Sequence, residues 1–312
     1  MITVLLAVFA LTFAVAVPRM LAGARWAYRA PRLGLLAWQA TAAAVLTATV
    51  AAATAALLHY RSDHGVLLPG GVWRLCLDAL SGAHGRPGQV VAVAGLVLLG
   101  VMAVRLVAGA TRLADAVRRR RRHRRLLRLV GEARTDLGVT VLAHPNPAAY
   151  LLPGWPDRVV VTSGALTRLP EAELAAVLAH ERAHAAGRHH RLCAVAGVLH
   201  HAYPRVPVFT QAHTQVARLV ELCADEVAAR AQSPLALARA LVTMAEAAAT
   251  PPGVLAAGGG DTAERITRLL HPPRRLPVTA RATLAATFTA LPVLPVLVVL
   301  AEPVTHLTAF AW

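Results

Sequence analysis

The segment Ala175-Ala-Val-Leu-Ala-His180-Glu181-Arg-Ala-His184 holds two histidines four residues apart, with a glutamate beside the first. On a helix that spacing sets both imidazoles on one face, one turn apart, so both can reach a single metal ion. Glu181 then approaches a metal-bound water and can act as the general base that takes its proton. Zinc suits this donor set, and it calls for a third protein ligand with the fourth position left to water. Histidines at this spacing also arise by chance in a chain that has 14 of them, so the motif alone is a weak signal.

Two third ligands are available. His184-Ala-Ala-Gly187-Arg-His-His190 fits the metzincin spacing H-E-x-x-H-x-x-G-x-x-H. Met244, the only methionine downstream, lies in an alanine-rich helical stretch and not in the turn that pattern expects. The alternative is Glu221-Leu-Cys-Ala-Asp225, 37 residues past His184. Its spacing of four puts Glu221 and Asp225 on one helix face, so Glu221 can bind the metal while Asp225 hydrogen-bonds a ligand histidine from behind. A group to stabilise an oxyanion is less legible, and Arg265, Tyr203 and His213 are the candidates. His189, His200 and His201 read as surface or interfacial histidines.

The elements that must position these residues follow from turn and period signals. The block opens with a helical run, Leu126 to Leu137, and short strands are expected at Val139 to Ala143, Ala148 to Leu152 and Arg158 to Thr162. His144-Pro-Asn-Pro and Pro153-Gly-Trp-Pro are the turns between them. The rest reads as helix: Pro170 to Ala186, His189 to Ala202, Thr214 to Gln232, Pro234 to Ala249 and Ala263 to Leu270. A flexible loop is expected at Gly253 to Gly260.

Composition places this block at a membrane. The 312 residues are 56% hydrophobic and 15% charged, with a formal net charge of +16 carried by arginine alone. Leu33 to Leu58 is 26 residues without a charge, long enough to cross a hydrocarbon core of about 30 Å. Gln89 to Ala110 is apolar apart from Arg105, and Ala282 to Ala301 is uncharged, with Pro292 and Pro295 inside it. Ile2 to Val17 is short, but neither a basic leader segment nor a clear cleavage site marks it as a signal peptide, so it reads as a fourth span. Nine arginines lie between Thr111 and Val130 and none after the last span. The positive-inside rule therefore places 111–281 in the cytosol and both termini outside. The run Arg118 to Arg125 sits next to a span without any recognition-helix or stacking-aromatic pattern, so it is read as binding anionic lipid, with no direct nucleic-acid contact. The three cysteines, Cys76, Cys193 and Cys223, make no disulfide framework.

Ala175 to His184, Glu221 to Ala228 and Glu264-Arg-Ile-Thr-Arg-Leu269 together resemble the gluzincin membrane peptidases. These are family forty-eight, the HtpX and CAAX-prenyl-protease group, and family fifty-six, the BlaR/MecR antirepressor group. Arg158-Val-Val-Val-Thr-Ser-Gly-Ala-Leu is similar to their approach to the active-site helix. Three spans before the block and one after resemble the BlaR/MecR layout. The resemblance covers about Ala148 to Leu270. It implies a zinc endopeptidase in which His180, His184 and Glu221 bind Zn2+, Asp225 stands behind them and Glu181 is the base.

The fold expected on this basis is a polytopic α-helical membrane protein with four spans and an inserted α+β, mainly helical, zincin-type domain. Its parts are 1–110 with three spans, a catalytic domain at 111–281, and a last span with an outer tail at 282–312. The resemblance further implies a regulatory protease cutting a cytosolic BlaI-type winged-helix repressor. Membrane-protein quality control and a catalytically silent transducer are the other readings. Two departures stand out: no penicillin-binding domain follows the last span within this sequence, and Gly258-Gly-Gly-Asp261 stands where family forty-eight usually has a His-Pro step.

Overall fold

The computed structural model describes residues 1–64, 87–248 and 259–309. Among the described residues, four helices come first: α1 (Ile2–Ala22), α2 (Arg25–Arg29), α3 (Pro31–His64) and α4 (Pro87–Val130). α1, α3 and α4 are each long and apolar enough to cross a membrane. α3 is central among them. Its Ala37, Ala42, Ala44, Ala48 and Ala55 are buried, and such small side chains let neighbouring backbones approach closely. α1 and α4 instead expose Val4, Leu5, Val8 and Leu11, and Val97, Val101, Val104 and Val107, the apolar surface that a bilayer would cover.

The last expected span is broken. Helices α11 (Val278–Ala290) and α12 (Leu294–Ala309) meet at a 50° bend, and they pass as one span only if the bent pair is taken together. Pro292 lies in the break and Pro295 in the first turn of the second helix, where proline removes helix donors and its ring clashes with the preceding turn.

Between α4 and α11 lie four strands and six helices among the described residues. The strands are β1 (Glu132–Arg134), β2 (Val139–Leu142), β3 (Ala149–Leu152) and β4 (Arg158–Thr162), in the order β1-β2-β4-β3. β2 and β4 pair parallel, while β1–β2 and β3–β4 are antiparallel, so β3 is an outer edge. The helical reading of Leu126 to Leu137 holds only as far as Val130. A side chain at Gly131 would meet the Leu127 carbonyl and Thr140 at 2.6 Å, and the chain turns there into β1. β1 pairs with β2 through a turn closed by Gly138 at φ +64°.

The helices are α5 (Ser163–Arg168), α6 (Glu171–Ala186), α7 (His189–Ala202), α8 (Pro207–Ala231), α9 (Pro234–Ala248) and α10 (Gly259–Leu270). α5 was not anticipated; Thr162 caps it, its hydroxyl accepting from the Ala165 amide at 3.3 Å. α8 starts two turns before the expected Thr214, with Pro207 in its first turn, where that residue favours initiation. Most of the loop expected at Gly253 to Gly260 lies outside the described residues; its last two residues open α10.

The tip of the α7–α8 hairpin packs among the apolar helices. Leu199, Val208 and Phe209 share a core with Ala14 of α1 and Ala42 and Val45 of α3. The Tyr203 hydroxyl donates to the Met102 carbonyl of α4 at 3.0 Å. Close contact here depends on Gly109, where an added Cβ would stand 2.8 Å from the Val198 carbonyl oxygen. Gly109→Ala should therefore lower the thermal midpoint in detergent, by about 1–3 kcal/mol of stability. Gly100→Ala, with no atom within 4 Å, should leave it unchanged or raise it. Equal midpoints for the two variants would contradict this packing.

Candidate metal centre

α6 is wedged between the sheet and α8. Val177 and Leu178 bury against Val139, Val159 and Val161, and Ala176 against Ala228 of α8 and Leu237 of α9. That wedge turns the opposite face of α6 toward α8 and brings the expected donors together. His180 Nε2 and His184 Nε2 lie 3.0 Å apart, and each is 3.4 Å from an oxygen of Glu221. Donors about 2.1 Å from a tetrahedral ion are separated by about 3.4 Å, so the three atoms match one face of such a site. Among the described residues, His180, His184 and Glu221 are the group that could hold a metal. His190 is not in it, so the glutamate, and not the histidine of the metzincin spacing, stands with the two histidines.

Behind the donors sits Asp225, 1% exposed, its Oδ1 3.0 Å from His180 Nδ1 though approached off the N–H axis. Arg265 of α10 grips Asp225 with both ends of its fork, Nε to Oδ2 and Nη2 to Oδ1, each at 2.8 Å. Its Nη1 lies 3.1 Å from Glu221 Oε2. Every nitrogen of this guanidinium is thus engaged by a carboxylate. Tyr203 and His213, the other two candidates for an oxyanion donor, stand elsewhere: Tyr203 on Met102, and His213 stacked on His200 with ring centroids 4.9 Å apart.

The electrostatics follow from this crowding of anions. Burial opposes a proton on His180, yet the Asp225 and Glu221 carboxylates overcome it and lift its pKa to about 9. Burial would also raise Glu221 and Asp225, but the histidines and Arg265 hold both below the usual carboxylate range. A field that holds an extra proton on an imidazole is one that a cation also satisfies, and the donor set therefore fits a divalent metal. Glu181 goes the other way: burial raises its carboxyl, against a hydrogen bond from the Leu151 backbone of β3.

His189, expected at the surface or at an interface, joins the site. His189 is buried at 7% exposure, and its Nδ1 is 3.0 Å from His184 Nδ1. Burial pushes its pKa down to about 4, so it stands neutral and can accept from the ring of His184. Gly187 leaves the room for it, since a Cβ there would fall 2.3 Å from His189 Nε2. The tight Gly187-Arg188 turn was the available clue, with Arg188 at φ 49°. His201 is exposed, as expected.

A helix with two histidines and a glutamate, closed by a carboxylate from a second helix beside an edge strand, is the kind of site metalloproteases use. Residues 115–274, just over half of the chain, match Peptidase family M48, and the chain belongs to that family. Comparison with curated proteins and with solved structures returned no match. The geometry predicts that Glu221→Ala abolishes metal binding measured by elemental analysis. His190→Ala should retain one metal per chain, and the reverse result would restore the metzincin reading.

Proposed function

We propose that the protein is a zinc-dependent membrane endopeptidase that hydrolyses peptide bonds of protein substrates. The observation carrying this reading is the convergence of His180, His184 and Glu221 beside Glu181 on a buried helix face. Zinc held by these three residues would polarise the scissile carbonyl and lower the pKa of a water toward ~7. Glu181 takes a proton from the attacking water on its carboxylate and returns it to the leaving amine. Its partial burial, which raises its proton affinity, suits both halves of that exchange. β3, pairing with β4 on one side only, presents an edge beside α6 for a substrate bound in extended form, with its Leu151 backbone already on Glu181. His189 and Asp225 orient the two ligand imidazoles, and Arg265 serves the carboxylates in preference to an oxyanion.

Glu181→Gln should keep full metal content and lose hydrolysis of casein or of the chain itself by a factor of about 10² or more. Cleavage at the wild-type rate would remove Glu181 from the mechanism.

The membership in family M48 supports the HtpX-like half of the sequence resemblance. A regulatory role, with the catalytic block on the cytosolic face and a BlaI-type repressor as substrate, rests on the arrangement of apolar helices, three before the block and a bent pair after. A deletion strain separates it from quality control. Under the regulatory reading one small repressor stays uncleaved and a narrow gene set stays silent. A broad rise in misfolded membrane proteins, with no uncleaved repressor, would instead establish quality control.

A further inference from the structure

Five residues beyond Glu221, α8 meets the first turns of α3 and α11 around a cavity of about 450 Å³. Arginines from three separate parts of the chain line it: Arg29 and Arg32, Arg230, and Arg275 with Arg281. The one carboxylate in its wall is Glu226, and that group is already committed to Arg268 and, at 3.5 Å, to Arg230. Arg29 is held by neutral acceptors, the carbonyl oxygens of Arg274 at 2.7 Å and Arg275 at 3.4 Å, which fix its position and leave its charge uncompensated. Among the described residues, the guanidinium groups of Arg32, Arg275 and Arg281 have no hydrogen-bond or ion-pair partner. Like charges brought together from distant parts of a chain repel, and the arrangement is favourable when an anion occupies the centre.

The chemistry selects the anion. Guanidinium forks match phosphate oxygens, and several converging on one cavity suit a phosphate group better than a single carboxylate. The position selects a source. α3 and α11 are apolar helices that both begin at this level, with Leu33 and Leu276 in the cavity wall leading toward their apolar surfaces. Arginine clusters between the ends of membrane helices are sites where anionic headgroups dock. The run Arg118 to Arg125 differs: it is a stretch of one helix with Arg118 already paired to Asp115, whereas the cavity's arginines, four of the five also exposed, converge from separate parts of the chain.

We propose that this cavity is a phosphate-binding site, filled by the headgroup of an anionic phospholipid or by free phosphate, that anchors the catalytic helix α8 to the ends of α3 and α11. The test uses the full chain in detergent with phosphatidylglycerol and phosphatidylcholine, followed by native mass spectrometry, and inorganic phosphate by calorimetry. One phosphatidylglycerol should bind per chain in preference to phosphatidylcholine. The pair Arg275→Gln/Arg281→Gln should weaken it about tenfold, while Arg168→Gln/Arg191→Gln, two exposed arginines outside both the cavity and the Arg118 to Arg125 run, should change it by less than about twofold. Thermal midpoints of both pairs, compared with wild type, establish that each is folded. If phosphate binds and the anionic lipid shows no preference, the source is soluble; if the lipid binds and phosphate does not, it is the headgroup; either outcome supports the site. No preference for the anionic lipid together with no phosphate binding would overturn it. So would an equal loss in the two arginine pairs, which is the behaviour of a diffuse basic surface.

Discussion

The buried fork of Arg265 on Asp225 is the interaction on which the site depends. Asp225 is 1% exposed, and a carboxylate taken that far from water costs several kcal/mol unless it is paired and hydrogen-bonded. Arg265 supplies two bonds of 2.8 Å to it and a third contact to Glu221, so one guanidinium fixes two carboxylates of α8. Asp225 then stands against His180 and Glu221 against both ligand histidines. The site is assembled from α6, α8 and α10, and the ion pair is what makes the third helix indispensable. Leaving Asp225 buried without its partner is the type of change that costs about 3–5 kcal/mol.

The same residues explain why four carboxyl and imidazole groups can crowd together before any cation arrives. Arg265 and a proton on His180 offset the negative charge of Glu221 and Asp225, and a metal would displace that proton. His184 is held differently, by the neutral ring of His189. The two ligand histidines therefore have unlike supports, an anionic one from α8 and a neutral one from the start of α7. The catalytic helices are also not a block set apart from the membrane. The α7–α8 hairpin shares a core with α1 and α3, so the helix that carries Glu221 and Asp225 has its first turns packed on the apolar helices.

Local signals made the ligand helix readable. The spacing of His180, Glu181 and His184, and that of Glu221 and Asp225, are properties of single helices, and β4 and α7 fall at the expected bounds. What the sequence withheld is tertiary. That Glu221, and not His190, stands beside the two histidines depends on how α8 packs on α6, and no local period encodes it. Arg265 reads as a free cation until α10 docks on α8. His189 reads as a surface or interfacial histidine because its burial against His184 is created by the turn at Gly187 and by helix packing around it. β1 was hidden in an arginine-flanked helical run, since its only signals are Gly131 and the turn at Gly138. The membrane count was limited by Pro292 and Pro295, which turn one apolar stretch into two helices.

The central claim is that two histidines and one glutamate bind a single metal under the control of Arg265. X-ray absorption at the zinc edge on the zinc-loaded chain, wild type and Arg265→Met, measures it directly. Two nitrogen donors and oxygen donors at about 2.0–2.2 Å are expected in the wild type. In the variant, zinc affinity should fall about 10–100-fold, as when a partner that orients a ligand is removed. A wild-type shell with three histidine nitrogens, or a variant that binds zinc unchanged, would contradict it.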